Sequence, residues 1–268
     1  MSFWGNFNKK ELIAAHRGYR AIRAENTLLA FKAAKGKCDF IELDVGFSKD
    51  LIPIIIHDDT LERTTNAKEL EDFREPYSVI DYNLEELEKL DFSSWFIKDD
   101  PFGTIKSGLV AKKELESLPI QKVLTLKDAL EFIKQNSLKV NIELKDMSSL
   151  IEEKLVIQEI LSIVKSLNMD SSILFSSFNH SYLKELKKEA SNISTAALFE
   201  NIYSGDLIFY LSALNVSAYH CNVEIVDIQT IKALKHNNFK VAVYTVNSKE
   251  EKNRLFNLGV DAIFTDFL

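Results

Sequence analysis

The chain has 268 residues, of which 46% are hydrophobic and 27% are charged, a composition typical of a globular protein. Its formal net charge of -7 excludes a general attraction for nucleic acid or for an anionic membrane, so any phosphate binding must be local. The two cysteines, Cys38 and Cys221, are too few for a disulfide framework and indicate buried free thiols in a reducing compartment.

The first ten residues contain no basic segment followed by a long apolar stretch, so we predict no signal peptide. No run of 18 or more apolar residues occurs, so we predict no transmembrane helix and no stable membrane insertion. A cytoplasmic location is the default expectation. The sequence does not indicate an oligomeric state.

Short apolar runs alternate with amphipathic stretches of helical spacing. The predicted strands are Leu12–His16, Phe40–Val45, Lys139–Leu144, Ile173–Ser177, Thr195–Phe199, Val216–His220, Lys240–Thr245 and Ala262–Thr265. The predicted helices are Thr27–Lys35, Leu126–Gln135, Leu150–Leu167, Ser181–Ala190, Asp206–Leu214, Asp227–His236 and Lys249–Leu258. This α/β alternation predicts a (β/α)8 TIM barrel, with residues 1–268 as a single domain. An open doubly wound sheet is the alternative, although no Gly-rich dinucleotide loop follows the first strand.

Residues 46–121 interrupt the alternation, and we interpret them as an insertion after strand two that lacks the apolar periodicity for a core of its own. The apolar run Pro53–Ile56 cannot be the next parallel strand, because a parallel crossover needs about a dozen residues. A hairpin that turns near Lys49–Leu51 is predicted instead. It would bring Ile56–Asp58 back beside Glu42–Asp44.

Acidic residues lie at the predicted C-terminal ends of strands, where barrel enzymes carry their catalytic groups. Glu42 and Asp44 are two apart on one strand and therefore point to the same side, and Glu143 and Lys145 repeat this arrangement on the next barrel strand. Converging carboxylates repel one another unless a cation neutralises them. Oxygen ligands favour one divalent cation, Mg²⁺ or Ca²⁺ with Mn²⁺ as a further candidate. Ion pairs with Arg17 or Lys145, without metal, are the alternative.

Two histidines are predicted at the same mouth of the barrel. His16 ends the first strand, and His57 returns on the predicted hairpin, so the pair could act as general base and general acid. Arg17 and Lys145 would bind an anionic phosphoryl group and stabilise charge developing on it. This combination predicts phosphoryl chemistry, whereas purely structural hydrogen-bonded histidines are the alternative interpretation.

Short motifs follow one another in order from Ala15 to Asp266. They are Ala15-His16-Arg17-Gly18, Glu25-Asn26-Thr27, Ile41-Glu42-Leu43-Asp44-Val45, Ile56-His57-Asp58, Asn141-Ile142-Glu143-Leu144-Lys145, Ser176-Ser177-Phe178-Asn179-His180, Tyr244-Thr245-Val246-Asn247 and a final motif at 259–266. Each motif alone is weak evidence. The ordered set resembles the glycerophosphodiester phosphodiesterase family.

The resemblance implies a barrel with an insertion after strand two that hydrolyses small-molecule glycerophosphodiesters to a glycerol phosphate and an alcohol. The residues that match the family's motifs are the acid–base pair His16 and His57, the metal ligands Glu42, Asp44 and Glu143, and the phosphate contacts Arg17 and Lys145. The resemblance leaves open which histidine is the base. It also permits attack either by water or by a glycerol hydroxyl.

Two aromatic residues at strand ends are candidate substrate walls or rim packing. Tyr244 stands where the family commonly carries tryptophan, which predicts an altered substrate preference rather than altered chemistry. Phe178 lies in the motif that follows the fourth predicted barrel strand. Near Glu25, Ala24 replaces the family's usual proline and is expected to alter only a turn.

Three other functions compete with this interpretation. A lysophospholipase D-like or sphingomyelinase D-like enzyme would act on lipid headgroups and would need an apolar approach. The insertion's Phe92, Trp95, Phe96 and Phe102 could supply that approach or form a small core. A catalytically inactive phosphate-binding barrel is disfavoured by the intact set of histidines and carboxylates. A sugar-phosphate lyase or isomerase is disfavoured because such barrels bind phosphate late in the sheet.

Overall fold

The computed structural model describes residues 2–268, so Met1 lies outside the described part of the chain. The strands are β1 (Leu12–Ala15), β2 (Phe40–Phe47), β3 (Pro53–Ile55), β4 (Val140–Leu144), β5 (Ile173–Ser177), β6 (Ser194–Phe199), β7 (Ala218–Asn222), β8 (Lys240–Tyr244) and β9 (Ala262–Thr265). The helices are α1 (Leu28–Ala34), α2 (Leu84–Leu87), α3 (Ser94–Asp99), α4 (Lys112–Glu116), α5 (Leu126–Gln135), α6 (Glu153–Ser166), α7 (His180–Glu189), α8 (Leu207–Leu214), α9 (Ile228–His236) and α10 (Lys249–Asn257). Every predicted strand and helix matches one of these, with ends shifted by a few residues.

Eight parallel strands close into a barrel, because β1 pairs with both β2 and β9. Ala15 lies opposite Ile41 on one side and opposite Thr265 on the other. The helices between successive strands pack around the outside. The predicted TIM barrel is therefore confirmed, and the open sheet is excluded.

The short strand β3 is antiparallel to β2, with Val45 opposite Ile55. The chain turns where the amide of Ser48 donates to the carbonyl of Ile52. Beyond the paired residues, the amide of Ile56 donates to the carbonyl of Asp44 at 3.0 Å. The predicted hairpin is confirmed, and it carries the following residues to the C-terminal end of β2.

Aromatic residues fill the N-terminal end of the barrel. A 3₁₀ turn at Phe3–Asn6 places Phe3 and Trp4 in the interior, where the ring of Phe3 packs edge-on against Phe40 with centroids 5.3 Å apart. The amide of Phe3 donates to the hydroxyl of Ser194, the first residue of β6. Each fully buried phenylalanine is worth about 1.5–3 kcal/mol of hydrophobic stabilisation. Because these side chains close the N-terminal end, the opposite, C-terminal end of the barrel is the one left open for a functional site.

The insertion contains apolar clusters of its own, so the prediction that it lacks a core is wrong. One cluster of buried side chains is formed by Ile54, Ile56, Leu61, Ala67, Phe73, Val79, Tyr82, Leu87, Leu90 and Phe92. These residues lie on turns and very short helices, which have no periodicity long enough to detect in the sequence. A second cluster packs Phe96 against Ala24, Val110 and Leu115. Phe92 and Phe96 are thus buried, and Trp95 and Phe102 are partly buried.

Among residues 2–268, no helix combines the length and the apolar character needed to cross a membrane.

Candidate active site

Three acidic residues converge at the C-terminal end of the barrel. Glu42 and Asp44 lie on β2, and Glu143 on β4 is the register partner of Asp44. Each offers a carboxylate oxygen, and these oxygens lie within 4.8 Å of one another. Glu42 and Asp44 are almost fully buried. The structure thus brings together all three residues that the sequence suggested as metal ligands.

In the absence of a cation, the buried carboxylates of this cluster repel one another. Burial and the charges of Asp44 and Glu143 raise the pKa of Glu42 well above its ordinary value. Burial and the charge of Asp44 likewise raise the pKa of Glu143. Burial alone would raise the pKa of Asp44 too, but the charges of Arg17, His57 and Lys145 hold it below its ordinary value. An all-oxygen donor set with this repulsion fits a hard divalent cation, which would neutralise it.

Two cations lie against the acidic cluster. The backbone amide of Arg17 donates to Glu42 at 2.7 Å, and its side-chain Nε is 3.3 Å from an oxygen of Asp44. The ammonium of Lys145 donates to Glu143 at 3.1 Å. The ion pairs considered as an alternative to a metal site are therefore present. They do not remove the repulsion that raises the pKa values of the two glutamates.

Both histidines at this end of the barrel are held by a carboxylate at Nδ1. His16, after β1, has its Nδ1 2.7 Å from an oxygen of Asp266, after β9. His57, after β3, has its Nδ1 2.6 Å from an oxygen of Asp58. Because Nδ1 is engaged, Nε2 is the ring nitrogen available to the cavity that both residues line. Burial, and then the charge of Arg17, lower the pKa of His16 despite the contact with Asp266.

A buried glutamate gathers three arginines beside the histidines. Glu25 accepts from Nη1 of Arg17 and from Nη2 of Arg63, each at 2.7 Å, and one of its oxygens lies 3.0 Å from Nη2 of Arg20 in an ion pair. The three positive charges hold the pKa of Glu25 well below its ordinary value, although burial alone would raise it. Glu25 therefore serves as the shared countercharge of the three arginines. Thr27 caps α1 through the amide of Ala30.

Two of these arginines also reach the carboxylates that hold the histidines. Arg63 donates to Asp58 through Nε at 2.6 Å and through Nη2 at 3.0 Å. The Nε of Arg20 is 3.6 Å from Asp266. Asp266 is fixed further by Asn247, whose Nδ2 donates to it at 2.7 Å. Glu25 is thus connected to both histidines by parallel chains of one arginine and one aspartate each.

No role was assigned from the sequence to four residues that hold the histidines and the acidic cluster: Asp58, Asp266, Glu25 and Asn26. Asn26 adopts φ 56 and donates to Asp44 at 2.8 Å, so it orients that carboxylate. The available signal was that a histidine with a defined tautomer needs a partner at Nδ1. Asp58 is adjacent to His57 in sequence and could have been found this way. Asp266 could have been found only by pairing the last strand with the first.

A cavity of about 180 Å³ lies at the C-terminal mouth of the barrel. Its walls include both histidines, Arg17, Glu42 and Glu143. Lys145 lines an adjoining cavity that shares His57. Two larger clefts contain neither histidine nor any of the three acidic residues: one of about 440 Å³ lies on the insertion, and one of about 290 Å³ lies between the insertion and residues 23–29.

The model of the glycerophosphoryl diester phosphodiesterase family matches residues 16–268. This chain belongs to that family. The glycerophosphodiester phosphodiesterase of Caldanaerobacter subterraneus is 34% identical over 263 residues, covering 96% of this chain and 94% of that protein. A phosphodiesterase of Oleispira antarctica, solved in complex with the product sn-glycerol-3-phosphate, matches with a TM-score of 0.82 and 29% identity, covering 100% of this chain and 96% of that one. The resemblance inferred from the motifs and the phosphodiesterase class are confirmed.

In this glycerophosphoryl diester phosphodiesterase family member, the two predicted aromatic residues form one wall of the cavity. Phe178 and Tyr244 pack edge-on with ring centroids 6.2 Å apart, and Phe178 is 43% exposed. The hydroxyl of Tyr244 lies 2.9 Å from the carbonyl oxygen of Phe199 and 3.1 Å from an oxygen of Glu200, and its single proton is shared between these two acceptors. Glu200 also lines the cavity and was not anticipated from the sequence.

The remaining histidines near the barrel are structural. His180 contacts the hydroxyl of Tyr210 at 2.8 Å and the carbonyl of Leu198 at 3.0 Å. His220 is fully buried inside the barrel between Trp4 and Phe264, and burial lowers its pKa to about 3. It does not line the cavity at the mouth.

Proposed function

We propose that the protein hydrolyses glycerophosphodiesters to a glycerol phosphate and an alcohol, with one divalent cation and two histidines. The observation that carries the proposal is the pair His16 and His57, each held at Nδ1 by a carboxylate, in the cavity formed beside the acidic cluster. The product bound by the Oleispira antarctica relative supports the glycerol-containing substrate class.

The cation would be held by Glu42, Asp44 and Glu143, whose oxygens are close enough to share one ion. The oxygen-only donor set favours Mg²⁺ or Ca²⁺, with Mn²⁺ as a further candidate. When bound, a divalent cation polarises phosphoryl oxygens and stabilises the charge that develops on them. The guanidinium of Arg17 and the ammonium of Lys145 add positive charge at the same place, where an anionic phosphodiester must bind.

The histidines move the protons. The lowered pKa of His16 keeps its imidazole neutral near pH 7, which favours it as the base that takes a proton at Nε2 from the attacking hydroxyl. His57 then protonates the leaving alkoxide. Asp266 and Asp58 fix the two rings and stabilise the imidazolium form of each. The attacking hydroxyl belongs either to water, which gives glycerol phosphate directly, or to the glycerol itself, which gives a cyclic phosphate that water must then open.

The insertion contributes to this site from within the barrel domain. His57, Asp58 and Arg63 all lie in residues 46–121, and Arg63 reaches Glu25 beside β1. We therefore infer that residues 1–268 act as one domain whose insertion completes the active site.

A substrate panel tests the proposed function. Glycerophosphodiesters with different alcohols and a series of lysophospholipids are each assayed with and without a chelator. We expect turnover of the water-soluble diesters that stops with the chelator. Turnover of lysophospholipids alone would contradict the proposal and favour the lipid-headgroup alternative. Phe92 and Phe96 do not support that alternative, because both side chains are buried and cannot form an apolar entrance for an acyl chain.

Replacing Glu25 by glutamine is expected to lower kcat by about ten- to a hundredfold, the usual effect of losing an outer partner of a catalytic group. The change leaves three arginines without their shared countercharge, so the arginines that contact Asp58 and Asp266 are held less firmly. The rate is measured against pH, because misplaced histidines change the profile whereas simple loss of folded protein does not. Glu114→Gln, which removes the partner of Arg23 outside the cavity, is the control. An unchanged kcat and profile would show that Glu25 does not position the histidines.

Replacing Tyr244 by tryptophan is expected to change KM, or the preference among alcohols, by about tenfold, the size of a pocket-shape effect. The side chain forms a wall beside Phe178 and contacts none of the three acidic residues through a hydrogen bond. The cation concentration for half-maximal rate should therefore stay constant. A large shift in that concentration would place Tyr244 beside the cation and contradict its assignment to the substrate wall.

A further inference from the structure

The large apolar side chains that are exposed to solvent are concentrated at the catalytic end of the barrel. Among residues 2–268 there are eight of them, and Leu109 and Ile120 belong to the insertion. The other six lie between the end of a barrel strand and the first turn of the next helix, or after the last strand: Leu150, Phe178, Ile202, Phe209, Ile228 and Phe267. Because parallel strands all end at one mouth, these side chains lie around the opening of the active-site cavity.

Five of the six follow the consecutive strands β4, β5, β6 and β7 and therefore occupy one continuous side of the mouth. We call them the apolar rim: Leu150, Phe178, Ile202, Phe209 and Ile228. Phe178 also lines the cavity, so the rim is continuous with the active site. Ile202 is 78% exposed and Phe209 is 73% exposed. Apolar side chains this exposed and gathered beside a site indicate a docking surface.

The helix that carries Phe209 differs from the others. In the described part of the chain, α8 is the one helix without a charged residue, and its sequence is LIFYLSAL. Its first turn begins at the mouth, directly after the loop that holds Ile202. The outer face of α8 is therefore apolar at the point where the outer faces of the other helices carry charge.

The loops that carry the apolar rim are acidic. They are residues 145–152, 178–179, 200–206 and 223–227, and their only basic residue is Lys145, which is paired with Glu143 inside the site. Their exposed acidic residues are Asp146, Glu152, Glu200, Asp206, Glu224 and Asp227. An anionic membrane is repelled by such a face, and so is the same face of a second copy of the chain. The partner must therefore combine apolar groups with positive charge at its surface.

A zwitterionic lipid surface has both properties, because its ammonium groups are outermost and apolar groups lie beneath them. Single apolar side chains on separate loops need no matching groove on a lipid surface, which adapts to them, and binding grows with the apolar area buried. A folded protein seated on the rim would hold the mouth of the cavity covered. A peripheral lipid contact is reversible and leaves the cavity accessible.

We propose that the apolar rim docks the protein peripherally on a zwitterionic lipid surface. Ile202 and Phe209 enter the headgroup region, and the acidic residues of the same loops face the ammonium groups. Docking goes beyond the proposed hydrolysis, since it uses none of the bond-breaking groups. It holds the mouth of the cavity at the surface where a phospholipid that loses both acyl chains releases a glycerophosphodiester.

The double substitution of Ile202→Ser with Phe209→Ser tests the docking, because it removes the two most exposed side chains of the rim and neither residue lines the cavity. The probe is a vesicle of phosphatidylcholine, and bound protein is measured by co-sedimentation. We expect the wild-type protein to bind and the double variant to bind about tenfold more weakly, the effect of losing large apolar side chains from the contact. Leu109→Ser is the matched control, since Leu109 is 61% exposed but lies in the insertion, and it should bind like the wild type.

The charge of the vesicle tests the acidic part of the surface. Vesicles that also contain phosphatidylglycerol should bind less wild-type protein at low ionic strength, and added salt should reduce the difference. Stronger binding to these anionic vesicles than to phosphatidylcholine alone would overturn the proposal, because the acidic loops would then not face the lipid.

The remaining outcomes also decide the matter. Absent binding of the wild type to phosphatidylcholine, or equal binding by the double variant, would overturn the proposal. A dimer seen by light scattering in the wild type and lost in the double variant would overturn it as well, because the rim would then contact a second copy. Thermal unfolding shows whether the double variant is folded, and each single substitution repeats the test in a milder form.

Docking and the proposed function fail in distinguishable ways. The double variant should hydrolyse a water-soluble glycerophosphodiester at the wild-type rate, since the cavity is unchanged. If the wild-type protein hydrolyses no diester, the proposed function is wrong. Vesicle binding requires no turnover and then decides the docking by itself.

Discussion

Replacing His57 by alanine is expected to lower kcat by roughly two to four orders of magnitude, and His16→Ala is expected to do the same, since this is the usual contribution of acid–base catalysis. Each ring is held at Nδ1 by an aspartate, so Nε2 is the only nitrogen left to exchange a proton with substrate. Removing either ring removes one proton transfer that no neighbouring group replaces. Rates are measured across pH, because each variant should also lose one limb of the pH profile.

The fold should survive both substitutions, which thermal unfolding will show. Both residues lie at the cavity and outside the apolar clusters that stabilise the barrel and the insertion. His236→Ala, at the exposed end of α9, is the control and should retain full activity. A fully active His57→Ala enzyme would show that the hairpin does not deliver the second proton-transfer group.

Exhaustive treatment with EDTA is expected to abolish turnover, and Mg²⁺, Ca²⁺ or Mn²⁺ is expected to restore it. Burial and the charges of neighbouring carboxylates raise the pKa values of Glu42 and Glu143, so without a cation their ionised forms are disfavoured. A bound cation would stabilise all three carboxylates in their ionised form. The ion that restores the highest rate identifies the preferred metal. Undiminished turnover after complete removal of metal would show that the three carboxylates do not serve as ligands.

Stability gives a second measurement of the same cluster. The pKa values of Glu42 and Glu143 are higher in the folded protein than in the unfolded chain, where a glutamate has a pKa of about 4.3. The stability that the two residues contribute is therefore fully present below a pH of about 4.3. It is lost as the pH rises through their pKa values in the folded protein. Near neutral pH a bound cation should oppose this loss, raising the free energy of unfolding by about 2.7 kcal/mol at a hundredfold excess over Kd. Glu143→Gln should lose that gain, whereas the exposed variant Glu62→Gln should keep it.

The sequence by itself determined the barrel and most of the residues at its mouth. Alternation along each strand places Glu42 and Asp44 on one side, and the helical spacing between strands requires parallel crossovers. Too few residues separate β2 from Pro53–Ile56 for a parallel crossover. The hairpin that carries His57 could therefore be predicted from the length of this connection alone. These features are local, since each depends on residues that lie close together in the chain.

Only the tertiary structure decided how the site residues are held. Asp266 meets His16 across 250 positions because β9 closes the barrel against β1. Glu25 joins Arg20 and Arg63, which approach it from the loop after β1 and from the insertion. Glu200 enters the cavity because β6 stands opposite β1.

The insertion's core and the N-terminal closure of the barrel escaped prediction for a related reason. The insertion buries side chains from turns and short helices, and Phe3 and Trp4 enter the barrel from a single 3₁₀ turn. Such segments have no period of two or 3.6 residues to detect. Their apolar residues are buried by surfaces supplied from distant parts of the chain, and those surfaces exist only once the barrel has closed.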